Sequence, residues 1–533
     1  MEPEARTQHS TVACARLVGR RLVHCLLLLL LLTGMAVAGE GEPYVLPRGD
    51  EIATSPQSAY LFLGWDQLGR ILGLPDEWGL KLGGYFINEF TWVASGGVDP
   101  GATFANLAFG IHASLDTQKA LRLPGGTLGI EFLEYTGGAV NNAAGSVQMF
   151  TTMDGPPPRT RQELMQLWWI QRLFDDKLIF QIGKMNPPGT FGTVTNPVIA
   201  SEPHLQDVDI SNLLFTSLGL NPTLFGRLPG YYNTAYGAAV RLTPTKDFYI
   251  SYGIFDASAM EGVQTGIECA PSFDGYYLHI GELGYSWRVG EDKKPGRFGI
   301  GGWYQSGNVY TPALTMENNT TGYYLFANQR LWYLHPERDN AGLISYFQFG
   351  HTGSEAQAVT TYLGAGLTGV RLIPGRPADI ISIGTAWSWL NSTPGAGAFF
   401  YPDVPSASYN LRNTEFMFQA VYQTTFFFPL GRGFWSLTPV VGYTFIPNPG
   451  QRPDLPAASV FSLRLYPVLT KTLVALPCRK GGIHTHGGVL FLAPGSVRKI
   501  GRTTSIVHDD PADRRFCMRS SPGLQRYPAA NLV

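Results

Sequence analysis

The segment 414–426, TEFMFQAVYQTTF, alternates apolar and polar side chains almost without interruption. Its aromatic and other apolar side chains occupy even positions, at Phe416, Phe418, Ala420, Tyr422 and Phe426. Its polar side chains occupy odd positions, at Glu415, Gln419, Gln423 and Thr425. Because successive side chains of a β-strand point to opposite faces, the segment predicts a strand with one apolar and one polar face.

The same alternation recurs about sixteen times between residues 80 and 467. The predicted strands lie at 80–93, 104–116, 126–136, 162–173, 178–185, 235–243, 248–256, 276–288, 298–306, 321–334, 343–351, 361–373, 379–390, 414–428, 434–445 and 457–467. An even number of antiparallel strands closes a barrel with both chain ends on one side. The pattern therefore predicts an all-β membrane protein, a sixteen-stranded antiparallel outer-membrane β-barrel with a short N-terminal periplasmic helix.

The connections between these strands alternate in length. Tight turns rich in Gly, Pro and Asp are predicted at 175–177, 244–247, 374–378 and 429–433. Longer connections are predicted at 137–161, 186–234, 257–275, 308–320 and 391–413. Outer-membrane barrels have short periplasmic turns and longer outer loops, so this asymmetry gives the orientation of the barrel.

The composition also favours membrane strands. Charged residues make up 15% of the chain and aromatic residues 13%, whereas soluble domains contain about 25% charged residues. A soluble all-β protein is the alternative that these totals leave open. The net charge of −1 provides no strong field for nucleic acid, and the five cysteines form neither a disulfide framework nor a metal motif.

The two ends of the chain differ from the repeat. Residues 1–38 resemble a secretory signal peptide, with arginines before a leucine run and Ala36-Val37-Ala38 as the cleavage site. The acidic residues Glu2 and Glu4 are unusual in such a peptide and suggest that the true start codon lies further along the sequence. Residues 39–79 are predicted as a periplasmic segment with a helix at 59–74, and residues 80–467 as the barrel. Export and β-strands together predict the outer membrane of a Gram-negative bacterium. The basic tail 468–533 is predicted to be disordered and arises either from a frameshift or from a periplasmic extension.

A barrel of about sixteen strands is too wide for its own side chains to fill, so an aqueous channel is expected. The connection 186–234 is far longer than a passive link requires. It combines aromatic residues with the charged residues Glu202, Asp207 and Arg227. We expect it to fold into the channel and form a constriction; the alternative is an outer flap on the barrel rim.

The segment 168–184, WWIQRLFDDKLIFQIGK, resembles a hairpin of the carbohydrate-selective porin (OprB) family. The shared features are a tryptophan-glutamine strand, a tight acidic turn and a strand that ends in Gly-Lys. Weaker similarities occur at 64–74, 85–97 and 252–256, and together they cover most of residues 60–467. The resemblance implies a sixteen-stranded outer-membrane barrel for passive diffusion, with a preference for sugars such as glucose.

Strand parity selects candidates for the channel wall, because a charge on the lipid face would cost about 2–4 kcal/mol at mid-membrane. Parity turns Glu89 and Arg464 toward the channel, and closure of the barrel makes their strands neighbours. One of Trp168 and Trp169 can face the channel. Lys184 shares a face with apolar residues; the resemblance gives it a constriction role, and a position at the rim is the alternative. The predicted sugar-contacting residues are Glu89, Glu131, Trp168, Lys184, Glu202, Asp207, Arg227, Arg241 and Arg464.

Several functions remain open at this level. A general-diffusion porin without sugar preference is the nearest alternative, and a surface-binding barrel is another. An enzyme is not expected, because GxSxG, HExxH and P-loop motifs are absent from the sequence. No cofactor or metal is expected. The expected partners are sugars as permeants and outer-membrane lipid, and the protein is expected to be a monomer or a homotrimer.

Overall fold

The computed structural model describes residues 67–154, 159–187, 191–192, 194, 221–224, 234–245, 247–257, 272–335, 341–376, 379–404, 410–430 and 433–470. The predicted signal peptide and the tail beyond residue 470 lie outside these residues. Of the predicted helix at 59–74, the structure describes helix α1, Gln67–Leu72. Three further short α-helices are described, α2 Thr117–Leu121, α3 Val140–Ala144 and α4 Ala396–Phe400, together with 3-10 helices at Asp76–Trp78 and Pro222–Leu224.

Seventeen strands form one sheet in the described part of the chain. They are β1 Leu80–Ser95, β2 Thr103–Asp116, β3 Gly126–Thr136, β4 Thr160–Leu173, β5 Leu178–Met185, β6 Ala235–Thr245, β7 Phe248–Asp256, β8 Tyr277–Val289, β9 Lys294–Tyr310, β10 Met316–Tyr333, β11 Gly342–Thr352, β12 Val359–Val370, β13 Ile380–Leu390, β14 Thr414–Gln423, β15 Phe426–Leu430, β16 Gly433–Ile446 and β17 Ala458–Thr470.

The sheet closes on itself, because β1 pairs antiparallel with both β2 and β17. Strands β14 and β15 both pair with β16 and share one position in the wall. The seventeen strands therefore occupy sixteen positions, as the sequence predicts. None of the helices in the described residues is long and apolar enough to cross a membrane.

The predicted strand 414–428 is interrupted at Thr424 and Thr425, between β14 and β15. The backbone N–H of Thr424 donates to the carbonyl of Pro439 on β16. Proline has no N–H to return, so the ladder loses a hydrogen bond at this level. The Thr424 hydroxyl instead donates to Asp379, at 2.6 Å, at the tight-turn end of the barrel.

The two faces of the sheet are clearly distinguished, as β13 illustrates. Its outward side chains include Ile381, Ile383 and Trp387, which are 40–44% exposed. The inward side chains Ser382 and Ser388 are fully buried. An apolar outer face and a polar inner face are the arrangement of a membrane barrel, in which lipid surrounds the outside.

One predicted connection is wrong. The sequence suggested a long connection at 308–320, but β9 continues to Tyr310 and β10 begins at Met316. Strand pairing continues through this polar stretch, where Glu317 pairs with Val309. These two strands therefore extend the wall beyond the apolar band and leave only residues 311–315 as their turn.

Candidate functional site

The inner loop, residues 137–154 between β3 and β4, lies inside the barrel. The carboxylate of Glu415 on β14 anchors it, accepting hydrogen bonds from the Ser146 hydroxyl at 2.7 Å and the Val147 N–H at 2.8 Å. The same carboxylate accepts the N–H of Gly450 at 2.7 Å. Because Glu415 is fully buried and faces inward, these contacts place the inner loop against the inner wall.

Amide side chains extend this anchoring to neighbouring strands. The Ser388 hydroxyl on β13 donates to Gln148 Oε1 at 2.8 Å. The Gln419 amide on β14 donates to the Phe150 carbonyl at 2.7 Å. Sequence reasoning counted this connection among the outer loops and missed its inward fold. Its uncharged run from Ala139 to Met153, rich in small and amide residues, is the signal that it is not an exposed loop.

Glu89 and Arg464 lie directly opposite one another in the β1–β17 register, so the prediction that they occupy adjacent wall strands is confirmed. Arg464 Nε donates to the Glu89 carboxylate in a buried salt bridge. Thr151 of the inner loop donates to Glu89 Oε1 at 2.8 Å, and Arg464 donates to the Thr151 hydroxyl at 2.9 Å. The ion pair therefore holds the inner loop at the seam where the barrel closes.

Asp154 ends the inner loop and is also buried. Its carboxylate accepts the Asn141 N–H at 2.6 Å and pairs with Arg159 at 3.4 Å. Burial raises the pKa of Asp154 to about 6, although the Asn141 hydrogen bond and Arg159 act in the opposite direction. Asp154 thus joins the start of the inner loop to its end.

The raised pKa of Asp154 predicts a pH dependence of stability. A carboxyl whose folded-state pKa lies above its ordinary value of 3.8 stabilises the fold most below that value, and this contribution disappears as the pH rises through about 6. We expect the free energy of unfolding to fall between about pH 4 and about pH 6, and to fall less in Asp154→Asn. Urea titrations at each pH measure this, with the exposed Asp99→Asn as control. Parallel pH profiles for the wild type and Asp154→Asn would contradict it.

A second charged cluster lies on the inner wall formed by β6 to β10. The Glu282 carboxylate accepts the Tyr249 hydroxyl at 2.6 Å and the Tyr324 hydroxyl at 3.0 Å. Arg297 pairs with Glu282 at 3.6 Å. The guanidinium of Arg241, a predicted site residue, lies 3.9 Å from the centre of the Tyr249 ring. This cluster joins charges to aromatic faces, and sequence reasoning found only Arg241 among its members.

Glycines make room for the aromatic side chains of this cluster. A Cβ on Gly301 would lie 2.2 Å from the Tyr324 ring, and a Cβ on Gly299 would lie 2.2 Å from the Phe326 ring. Both glycines occupy inward positions of β9, so the rings of β10 fill the space that side chains there would take. This packing fixes Tyr324 where its hydroxyl reaches Glu282.

The described residues of the connection 186–234 contact the same inner wall. The N–H of Gly192 donates to Glu282 at 2.6 Å, and the Asn328 amide donates to the Val194 carbonyl at 2.9 Å. The Phe191 ring packs edge-on against Phe255, with centroids 6.4 Å apart. These contacts agree with the predicted inward fold for this part of the connection. The predicted site residues Glu202, Asp207 and Arg227 lie outside the described residues.

Glu131 and Trp168 face inward from β3 and β4. Glu131 accepts hydrogen bonds from the Gln166 amide at 2.7 Å and the Tyr85 hydroxyl at 3.1 Å. Trp168 is 7% exposed and its ring covers Gly129. Trp169 pairs with the outward residues Leu128 and Ile182. Only one of the two tryptophans therefore faces the interior, as the sequence predicts.

Lys184, a predicted site residue, is held against the backbone of β4. Its side chain is fully buried, so it is not a rim lysine. Its ammonium donates to the Leu164 carbonyl on β4 at 2.6 Å. The ammonium thus contacts a backbone carbonyl of the neighbouring strand, and beside it lies a buried ion pair of Arg161 and Glu163, 2.6 Å apart.

Four ion pairs lie among the described residues, at Glu89–Arg464, Glu282–Arg297, Arg161–Glu163 and Arg376–Asp379. The buried carboxylates of Glu131 and Glu415 accept hydrogen bonds from uncharged donors. Aromatic and hydroxyl side chains lie beside them. An interior of this kind presents hydrogen-bond donors, acceptors and ring faces, and several of its charges are compensated locally. Such a surface suits neutral polar solutes better than ions.

Comparison with known proteins agrees with this architecture. The family model described as carbohydrate-selective porin, OprB family, matches residues 102–466. The high-pH structure of Pseudomonas putida OprB has a TM-score of 0.61 and 21% sequence identity, over 78% of this chain and 99% of that chain. The outer membrane channel DcaP of Acinetobacter baumannii has a TM-score of 0.38 and 7% identity, over 73% and 97% of the two chains. Comparison with curated proteins gave no match.

Proposed function

The chain belongs to the OprB family of carbohydrate-selective porins, and on that premise we propose that it selects neutral monosaccharides such as glucose through charge-paired inner walls. As a member of that family it is an outer-membrane porin with sugars as permeants. The observation that carries the proposal is the ion pair of Glu282 and Arg297, which lies among the tyrosine side chains of one inner-wall cluster.

Charge pairing matters because a net charge on a pore wall selects ions. Channels for cations or anions present rings of one sign, whereas a paired wall attracts neither strongly. A neutral sugar needs local donors and acceptors instead, and its apolar ring face packs on aromatic side chains. Tyr249, Tyr324 and Arg241 provide both kinds of group within one cluster.

Among the residues predicted from sequence, Glu131, Trp168 and Arg241 are proposed to contact the permeant. Arg241 is partly exposed, and Gln166, the partner of Glu131, is partly exposed as well. Glu89 and Arg464 are proposed to shape the channel by holding the inner loop, because their side chains are sealed beneath it. Glu202, Asp207 and Arg227 remain predicted contacts.

Selective passage is tested by liposome swelling. We expect glucose to enter reconstituted proteoliposomes faster than an amino acid of equal size and faster than the anion glucuronate, because the walls hold their charges in pairs. Protein-free liposomes give the background. Equal rates for glucose and the amino acid would favour the general-diffusion alternative, and no flux at all would favour a surface-binding barrel.

The finer aspects of location and assembly are also proposals. We propose that residues 1–38 direct export and are removed, and that the apolar outer face contacts outer-membrane lipid. A monomer and a homotrimer are both compatible with a closed barrel. Mass spectrometry of the mature protein tests the cleavage site, and it would also detect peptides from the tail 468–533.

A further inference from the structure

Strand β4 contains a β-bulge that changes which of its side chains face inward. In the β3–β4 register, Glu131 pairs with Gln166 and Phe132 pairs with Leu164, so Met165 is an extra residue. On one side of the bulge the buried residues have odd numbers, Arg161 and Glu163. On the other side they have even numbers, Trp168 and Ile170. The bulge therefore decides that Trp168, rather than Trp169, faces the lumen.

The residues beside Trp168 leave space for its ring in the inward position. Its cross-strand partners are both glycines, Gly129 on β3 and Gly183 on β5. A Cβ on Gly129 would lie 2.2 Å from the Trp168 ring, so only glycine leaves space for it. The bulge also turns Gln166 inward, where its amide reaches Glu131 at 2.7 Å.

Lys184 lies beside the bulge and contacts its backbone. The β4–β5 register runs from Leu173↔Leu178 to Leu167↔Lys184, and Leu164 lies three residues beyond it. The Lys184 side chain extends along β4 and donates to the Leu164 carbonyl at 2.6 Å. Glu163, the next residue along β4, is close enough to interact with the ammonium charge.

We propose that Lys184 is a positioning residue that fixes this bulge, and so keeps Gln166 and Trp168 on the lumen side of β4. A β-bulge leaves a residue outside the regular ladder, and the strand needs another partner for its backbone there. The ammonium supplies that partner within a fully buried site. Without it the register can slip by one residue, and a slip of one residue exchanges the faces of a strand.

The direction of the slip follows from the charges. If the part of β4 before the bulge shifted, Arg161 and Glu163 would turn toward lipid, which disfavours charged groups. If the part of β4 after the bulge shifted, Trp168 and Trp169 would exchange faces. Since both side chains are apolar, this exchange places no charge in lipid. Loss of the ammonium therefore moves Trp168 to the lipid side and brings Trp169 into the lumen.

Cysteine accessibility tests this exchange directly. In a background with the native cysteines replaced by serine, Trp168→Cys and Trp169→Cys are each reconstituted and treated with a membrane-impermeant maleimide. We expect position 168 to label faster than position 169. In the Lys184→Met background we expect the ratio of the two rates to invert. Lys184→Arg, which keeps a cation and donors, should restore the original ratio, and Lys177→Met on the exposed turn should leave it unchanged.

A Lys184→Met barrel in which position 168 still labels faster overturns the proposal. So does a Lys184→Met chain that forms no heat-modifiable barrel while Lys177→Met does, because Lys184 would then act in folding as a whole. Deletion of Met165 removes the bulge itself, and unchanged labelling in that variant would also overturn it.

The consequence for transport rests on the proposed function, whereas the labelling result does not. If Trp168 contacts sugar, Lys184→Met should raise the glucose concentration at half-saturation about fivefold, the loss expected for one aromatic contact. Inverted labelling with unchanged half-saturation would support the positioning role and count against Trp168 as a sugar contact.

Discussion

Replacement of Glu89 by glutamine is expected to lower the free energy of unfolding by about 3–5 kcal/mol. The substitution keeps the size of the side chain but removes the charge that compensates Arg464. Arg464 is 1% exposed and lies at the seam between β1 and β17. A buried charge left without its partner is strongly destabilising, whereas the intact pair contributes little net energy relative to an apolar replacement.

The measurement is urea unfolding of the refolded barrel in detergent micelles, followed by tryptophan fluorescence. Glu134→Gln is the matched control, because Glu134 is exposed on β3. The double variant Glu89→Gln with Arg464→Met should recover part of the lost stability, because it removes both charges. A Glu89→Gln variant that is no less stable than Glu134→Gln would contradict the buried pair.

The same variant should affect the channel. Thr151 of the inner loop bonds to both members of the pair, at 2.8 Å to Glu89 and 2.9 Å from Arg464. Loss of the carboxylate removes the ion pair that holds both partners of Thr151 in place, and so weakens the hold on the loop. The free energy of unfolding and the conductance should therefore both change, because the Glu89–Arg464 pair stabilises the barrel and also holds the inner loop.

Strand positions could be predicted from the sequence because they depend on local alternation. The polar face of β14 is an example, since Glu415, Gln419 and Gln423 are all buried and inward in the structure. The neighbouring placement of Glu89 and Arg464 followed from strand order and closure. Both inferences need only parity and topology.

The inner loop could not be predicted in this way, because its direction depends on distant residues. Ser146 and Glu415 form their hydrogen bond across 269 positions of the chain. Parity marked Glu415 as inward but gave no indication of its partner. Sequence reasoning instead assigned the inward fold to the connection 186–234 alone.

The bulge at Met165 could not be predicted from the sequence for a different reason. One inserted residue reverses parity without changing composition, so alternation alone could not assign Trp168 or Trp169 to the lumen. The sequence contained one sign of this irregularity, because Lys184 is a charged residue on a strand face that is otherwise apolar. The structure explains this anomaly, because its ammonium bonds to the β4 backbone and not to lipid.

Replacement of Glu415 by glutamine is expected to release the inner loop and increase the single-channel conductance. One carboxylate oxygen accepts Ser146 and Gln148, and the other accepts Val147 and Gly450. Glutamine offers one oxygen, and its NH2 group would face donors at the second position. Donors left unsatisfied in a buried site cost about 1–3 kcal/mol each, which is enough to detach this part of the loop from the wall.

Planar-bilayer recording measures the effect, because the inner loop lies within the lumen and its movement widens the path. Glu415→Asp keeps both acceptor oxygens and should retain more of the wild-type conductance than Glu415→Gln. Glu355→Gln, at an exposed position between β11 and β12, controls for the loss of one outer charge. Identical conductance in Glu415→Gln and the wild type would mean that the loop does not narrow the channel. A larger conductance with reduced preference for glucose over an equally sized amino acid would instead place the selective contacts on or beside the inner loop.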